Sequence, residues 1–163
     1  LKDISKTKRL LYSCLFVGDR VSLKGERMSN EMNKIAKFFE RDRFAAFAGI
    51  RLVEVEPGRA VAEMEISDNH LNAVDVVQGG AIFTLADFAF AAASNSHGQV
   101  ALAINANISY FHPARGQKLT AEAKEVSASN KLASYNVDVF DDDKKLVARF
   151  SGMVYRKKDR IEF

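Results

Sequence analysis

Residues 78–94 read QGGAIFTLADFAFAAAS, and this run limits the possible folds more than any other stretch of the chain. From Gly80 to about Ser96 it is rich in Ala, Leu and Phe and apolar on nearly every side, which predicts a core helix wrapped by other elements on most of its faces. In its middle stands one carboxylate, Asp87. An ionised Asp taken out of water is costly unless it is paired or put to use. The run opens on Gln78-Gly79-Gly80, where a helix start leaves backbone N–H groups unsatisfied and places the positive end of the helix dipole. Glycines there let a ligand oxygen approach the backbone closely, so the turn can hold a carbonyl oxygen and the charge it gains under attack. Each feature also has an ordinary reading: a Gly-Gly turn made for packing, and a buried Asp bonded to the backbone.

The flanking segments predict what wraps the helix. Ser29–Phe47 places Met32, Ile35, Phe39 and Phe47 at near-helical intervals, with Ser29 or Asn30 as the cap, and reads as one amphipathic helix. Residues 51–56 alternate, Pro57-Gly58 turns, and Ala60, Ala62, Met64 and Ile66 alternate again, as in a hairpin. Residues 67–78 show no clean period and read as a loop. Four more strands are predicted at about 99–111, 117–128, 132–140 and 144–156, with Asp141-Asp142-Asp143 as a hairpin turn and Gly152 as a candidate bulge. The expected layout is α+β, an antiparallel sheet curled around one long helix. Hairpin connections between the late strands disfavour a parallel α/β fold.

Bulk properties exclude several function classes. The chain has 163 residues, 47% apolar and 28% charged, which suits one domain with a real core. No stretch approaches the roughly 20 uninterrupted apolar residues of a membrane helix, so no membrane partner is expected. Cys14 is the only cysteine, so there is no internal disulfide, and a reducing cytoplasm is the expected compartment. The net charge of +3 is local: residues 1–27 hold 7 Lys/Arg against 3 Asp/Glu, leaving 17 and 18 of the totals of 24 and 21 for the rest. A nearly neutral body without a basic stripe argues against nucleic acid. Residues 1–27 read as an N-terminal extension ahead of a plausible start at Met28, with residues 28–163 as the single domain. His70, His97 and His112 lack metal-ligand spacing, so no metal is expected. Ser94 and Ser96 read as helix-end caps, and Lys157, Lys158 and Arg160 as a solvated tail or a contact for phosphates.

Taken together, Asn72, Gln78-Gly79-Gly80, Leu85-Ala86-Asp87 and Ser94-Asn95-Ser96 resemble the motif of the hotdog-fold acyl-CoA thioesterases of the PaaI-like type. The likeness runs from about Phe44 to Arg156 and takes in Ile108-Ser109-Tyr110-Phe111-His112-Pro113. It implies a metal-free hydrolase that needs no cofactor, with coenzyme A entering as part of the substrate. Asp87 would be the general base or nucleophile, the Gly79 backbone N–H the oxyanion donor, and Asn72 the group that orients water or carboxylate. Gln78 and Gly80 would meet the substrate. Gln78 stands where the family usually has His, and Ala103 where some relatives carry a hydroxyl.

The resemblance also implies a homodimer with shared active sites, or a tetramer, and helix geometry agrees. Gly79 and Asp87 are eight residues apart, about 12 Å along one helix at 1.5 Å per residue. Both must come within about 3 Å of one reacting centre, which an antiparallel second copy allows. Two alternatives stay open: a non-catalytic acyl-CoA binding or sensing protein on the same fold, and hydratase chemistry, which would want a His beside the Asp.

Overall fold

The computed structural model describes residue 30 and residues 32–162. The chain divides into two compact units, Leu1–Asn33 and Lys34–Phe163. In the first, residues 30, 32 and 33 are described and are helical. The proposed cap Ser29 lies outside the described residues, and Asn30 is itself helical.

Within the second unit, residues 34–39 form α1. The single helix expected through Phe47 is broken. The chain turns at residues 40–41, and Asp42 starts α2, Arg43–Phe47. Its carboxylate accepts hydrogen bonds from the N–H groups of Phe44 at 3.0 Å and Ala45 at 2.9 Å, so a short acidic side chain restarts the helix in a new direction. Ile35 and Phe39 are buried as the periodicity predicts, and Phe39 packs edge-on against Phe88 at 5.7 Å. Phe47 is 88% exposed, the opposite of the expectation for a continuous stripe.

The strands are β1 (Ile50–Glu56), β2 (Arg59–Glu65), β3 (Gln99–Tyr110), β4 (Lys118–Ala128), β5 (Leu132–Phe140) and β6 (Leu146–Arg160); α3 spans Gly79–Asn95. They form one six-stranded antiparallel sheet in the order β1-β2-β4-β5-β6-β3. The α+β expectation holds, strand by strand to within a few residues, and α3 touches every strand. It crosses the sheet from β2 to the far edge, where β3 pairs with β6 alone.

Small residues let the helix sit close. Ala60 faces Ala123, Ala62 faces Ala121 and Met64 faces Leu119 across β2 and β4, all fully buried; both strands pack against α3, whose Leu85, Ala86, Ala89 and Ala93 are fully buried as well. Under β5 and β6 the filling is aromatic: Phe90 lies 5.6 Å from Tyr135 and 5.3 Å from Phe150. Gly152 is no bulge. It pairs in register on both sides, and a Cβ there would come within 2.8 Å of Phe90, so its missing side chain makes room for that ring.

The far end of α3 is tied down by polar contacts. Gly58, in its turn at φ 75°, donates its N–H to Ser96 Oγ at 2.7 Å. The Asn95 amide bonds both the N–H and the C=O of Ala101, so Ser94, Asn95 and Ser96 act as caps and anchors. β6 continues to Arg160, which corrects the reading of Lys157, Lys158 and Arg160 as a tail.

Candidate active site

The loop before α3 closes on itself. Leu71 bridges Val77, Asn72 N–H donates to Val76 C=O at 2.9 Å, and Gln78 N–H donates to His70 C=O at 2.8 Å. Asn72 Oδ1 accepts from the N–H of Val74 and of Val76, so its oxygen shapes the turn and its NH2 is left for other partners. The loop sets Asn72 and the helix start side by side in one chain.

At the helix start the backbone donors can be followed one by one. Gln78 is the N-cap: its side-chain oxygen accepts from the N–H groups of Gly80 and Ala81. Its backbone oxygen accepts from Ala81 at 3.0 Å and Ile82 at 3.3 Å. Gly79 N–H, the remaining donor of the first turn, has no hydrogen-bond partner among the described residues. Gln78 therefore completes the cap and leaves one N–H at the positive end of the dipole uncommitted. Behind it, the Tyr110 hydroxyl donates to Gly79 C=O at 2.9 Å and its ring would lie 3.2 Å from a Cβ at that position. Burial raises the Tyr110 pKa, which keeps the phenol a donor.

The helix is not wrapped all round. Gly80, Thr84, Asp87 and Ala91 form a stripe at helical spacing that stays partly open while Leu85, Ala86, Phe88, Ala89 and Phe90 are buried. Asp87 is half-buried on that stripe, and its carboxylate has no hydrogen bond or ion pair among the described residues. Desolvation raises its pKa, and the nearby Asp42 carboxylate raises it further. The backbone bond that a purely structural Asp would make is not present.

A cavity of about 780 Å³ opens beside the helix start, lined among others by Phe44, Phe47, Leu71, Gln78, Gly80 and Thr84. Its wall is mainly apolar, and Phe44 and Phe47 of α2 owe their place there to the break at Asp42. The sequence reading missed both rings because it had assigned Phe47 to a buried helical stripe. It also missed the Tyr110 contact, which spans 31 positions in the chain. His70 holds the loop: Nδ1 meets Ser67 N–H at 3.0 Å, and Nε2 lies 3.1 Å from Ala48 C=O. Among the described residues no group of three His, Cys, Asp or Glu side chains is arranged to hold a metal.

The structure thus brings Asn72, Gln78, Gly79 and Gly80 together, and it leaves Asp87 two turns away along the same open stripe. Comparison with known proteins gives the family. The thioesterase superfamily model matches residues 75–148. A protein of Archaeoglobus fulgidus that carries an esterase name is 47% identical over 132 residues, covering 80% of this chain and 82% of that protein. The acyl-coenzyme A thioesterase PaaI of Escherichia coli is 34% identical over 119 residues, covering 72% and 85%. The solved structure of the E. coli PaaI protein, from the phenylacetic acid degradation operon, superposes with a TM-score of 0.78 at 31% identity over 83% of this chain and 99% of that one. The chain therefore belongs to the thioesterase superfamily and carries the hotdog fold of its PaaI-type members.

Proposed function

We propose that this protein hydrolyses acyl-CoA thioesters at a site shared by two copies of the chain. The observation that carries the reading is the uncommitted Gly79 N–H at the start of α3, on one helix with an unpaired, half-buried Asp87. The thioester carbonyl oxygen accepts from Gly79 N–H, and the helix dipole stabilises the charge that develops on it. Asp87 of the second copy takes a proton from water, or attacks the carbonyl carbon itself. The Asn72 NH2 orients the attacking oxygen. The C–S bond breaks and the thiolate leaves and is protonated as coenzyme A; the carboxylic acid is released at once where water attacked, and where Asp87 attacked, only after water has hydrolysed the anhydride formed between Asp87 and the acyl group. The acyl group lies in the apolar cavity beside Phe44 and Phe47, with Gln78 and Gly80 at its mouth. No cofactor or metal enters any step.

The exposed edge of β3 supports the second copy. Residues 102–107 are exposed on both faces although they are paired to β6, and Leu102 and Ile104 are 50% and 57% exposed. An apolar edge of that length invites strand addition, and an antiparallel copy of β3 turns α3 and its copy antiparallel as well. A panel of short, medium, long and aromatic acyl-CoAs, with the released thiol followed colorimetrically, tests the function. Turnover of at least one is the expected result. Tight binding without turnover of any would replace the enzyme by a binding protein.

A further inference from the structure

One hydrogen bond joins the two walls of the large cavity. Phe44 and Phe47 stand on α2, whereas Leu71 and Gln78 belong to the loop that carries Asn72 and opens α3. The last carbonyls of a helix lack partners within it. Ala48, the C-terminal cap of α2, presents its carbonyl oxygen 3.1 Å from His70 Nε2, across 22 positions of the chain. Among the described residues this is the one hydrogen bond between α2 with its cap and residues 67–78. The partners decide which ring nitrogen carries the proton. The Ser67 backbone N–H, 3.0 Å from Nδ1, can only donate, and Ala48 C=O can only accept. Nδ1 therefore accepts and Nε2–H donates, with the Ser67 hydroxyl 3.2 Å from Nδ1 as well. Turning the ring over would lose the bond to Ala48. The backbone of the same residue makes the next link: His70 C=O accepts from Gln78 N–H at 2.8 Å, one residue ahead of Gly79. His70 thus holds α2 with its ring and the start of α3 with its main chain.

We propose that His70 is a positioning residue for the reaction, fixing Asn72 and the Gly79 N–H relative to the apolar wall on α2 by tying that helix to the loop. The inference rests on the thioesterase reading above and adds a residue to it. An oxyanion donor acts from about 2.7–3.1 Å, and a misplacement of about 1 Å can cost about 10² in rate. A loop released from α2 would seat the acyl group on one wall and offer the donor from another that moves independently. The Nδ1 bond is a separate and local matter, since it closes the short turn Asp68–His70 on its own cap, Ser67. The two roles respond in opposite ways to substitution. By atom count, Asn places an acceptor where Nδ1 lies and stops short of Nε2, whereas Gln carries an NH2 donor out to the place of Nε2.

The test compares His70→Asn with His70→Gln on one acyl-CoA that the wild type turns over, assayed well below the melting temperature of the least stable protein. The expected result is a kcat about tenfold or more lower in His70→Asn with KM within about twofold, and a kcat within about threefold of wild type in His70→Gln. A wild-type kcat in His70→Asn with a loss in His70→Gln would make His70 a cap of its own turn and nothing more. Equal losses in both, a loss carried by KM alone, or no loss in either also overturns the proposal. If the wild type hydrolyses no acyl-CoA, the proposed function fails, and amide hydrogen exchange followed by mass spectrometry then reads the tie directly. Faster exchange across residues 70–80 in His70→Asn but not in His70→Gln, with β5 and β6 unchanged, supports the positioning of the helix start. Exchange that His70→Asn leaves unchanged, or that both variants raise equally, overturns it.

Discussion

A half-buried carboxylate without a partner destabilises a fold whenever it is ionised, and Asp87 is in that position. Its pKa in the folded chain lies above the ordinary value, so the folded state binds the proton more tightly than the unfolded chain does. Below about pH 3.9, the usual Asp value, both states are protonated and nothing is lost; the penalty builds as the pH rises from there and is complete once the pH has passed the raised value. Asp87→Asn, equal in size and uncharged, is therefore expected to melt above wild type at pH 7, with the gain shrinking in acid, while turnover falls about 10² or more for want of the base. A variant melting below wild type at pH 7 would make Asp87 a structural residue. Because Asp42 contributes to the shift, Asp42→Asn should move the acid limb of the kcat/KM profile to lower pH. Asn caps helices as well as Asp, so α2 is expected to survive the exchange. An acid limb that stays in place would remove Asp42 from the electrostatics of the site. Asp87 and Gly79 were legible in the sequence because a lone charge and a glycine pair interrupt an apolar helix. Tyr110 was not, because its partner Gly79 is reached only once β3 has crossed back along α3.

Elements were legible where a half-buried strand writes its two faces into a period of two, as β5, most of β6 up to Tyr155 and β2 from Ala62 onward do. The period fades where burial ends. Beyond Tyr155 the strand β6 has passed the core, no apolar face is required of it, and Lys157, Lys158 and Arg160 read as a tail. The break between α1 and α2 was hidden for another reason: Phe39 and Phe47 are in helical phase with each other, and the only signal is Asp42 ahead of Arg43-Phe44. At Gly152 the missing side chain serves packing between elements. Gly152→Ala places a methyl within about 3 Å of two buried rings, those of Phe90 and Phe150, and overpacking of this kind costs about 1–3 kcal/mol. Chemical denaturation should show a loss of that size, with the catalytic constants of the remaining folded protein little changed. A neutral effect would mean that Phe90 has room to move and that the glycine is there for another reason.

At the scale of the whole molecule the proposed site calls for two copies of the chain. Eight helical residues separate Gly79 from Asp87, about 12 Å, and Asp87 is not among the residues lining the cavity at the helix start. Asn72, in contrast, is fastened to the Gly79 turn of its own chain through the Leu71–Val77 bridge and the Gln78 bond to His70. In a two-fold pair each site then takes Asn72 and Gly79 from one copy and Asp87 from the other. Asn72→Ala and Asp87→Asn chains, each nearly inactive alone, place both lesions in one site of a mixed dimer and leave the other site intact. Random pairing makes half of the dimers mixed with one working site of two, so co-expression should return activity to roughly one quarter of wild type. Recovery no better than the single variants, with mixed dimers confirmed by mass, would rule out the shared site.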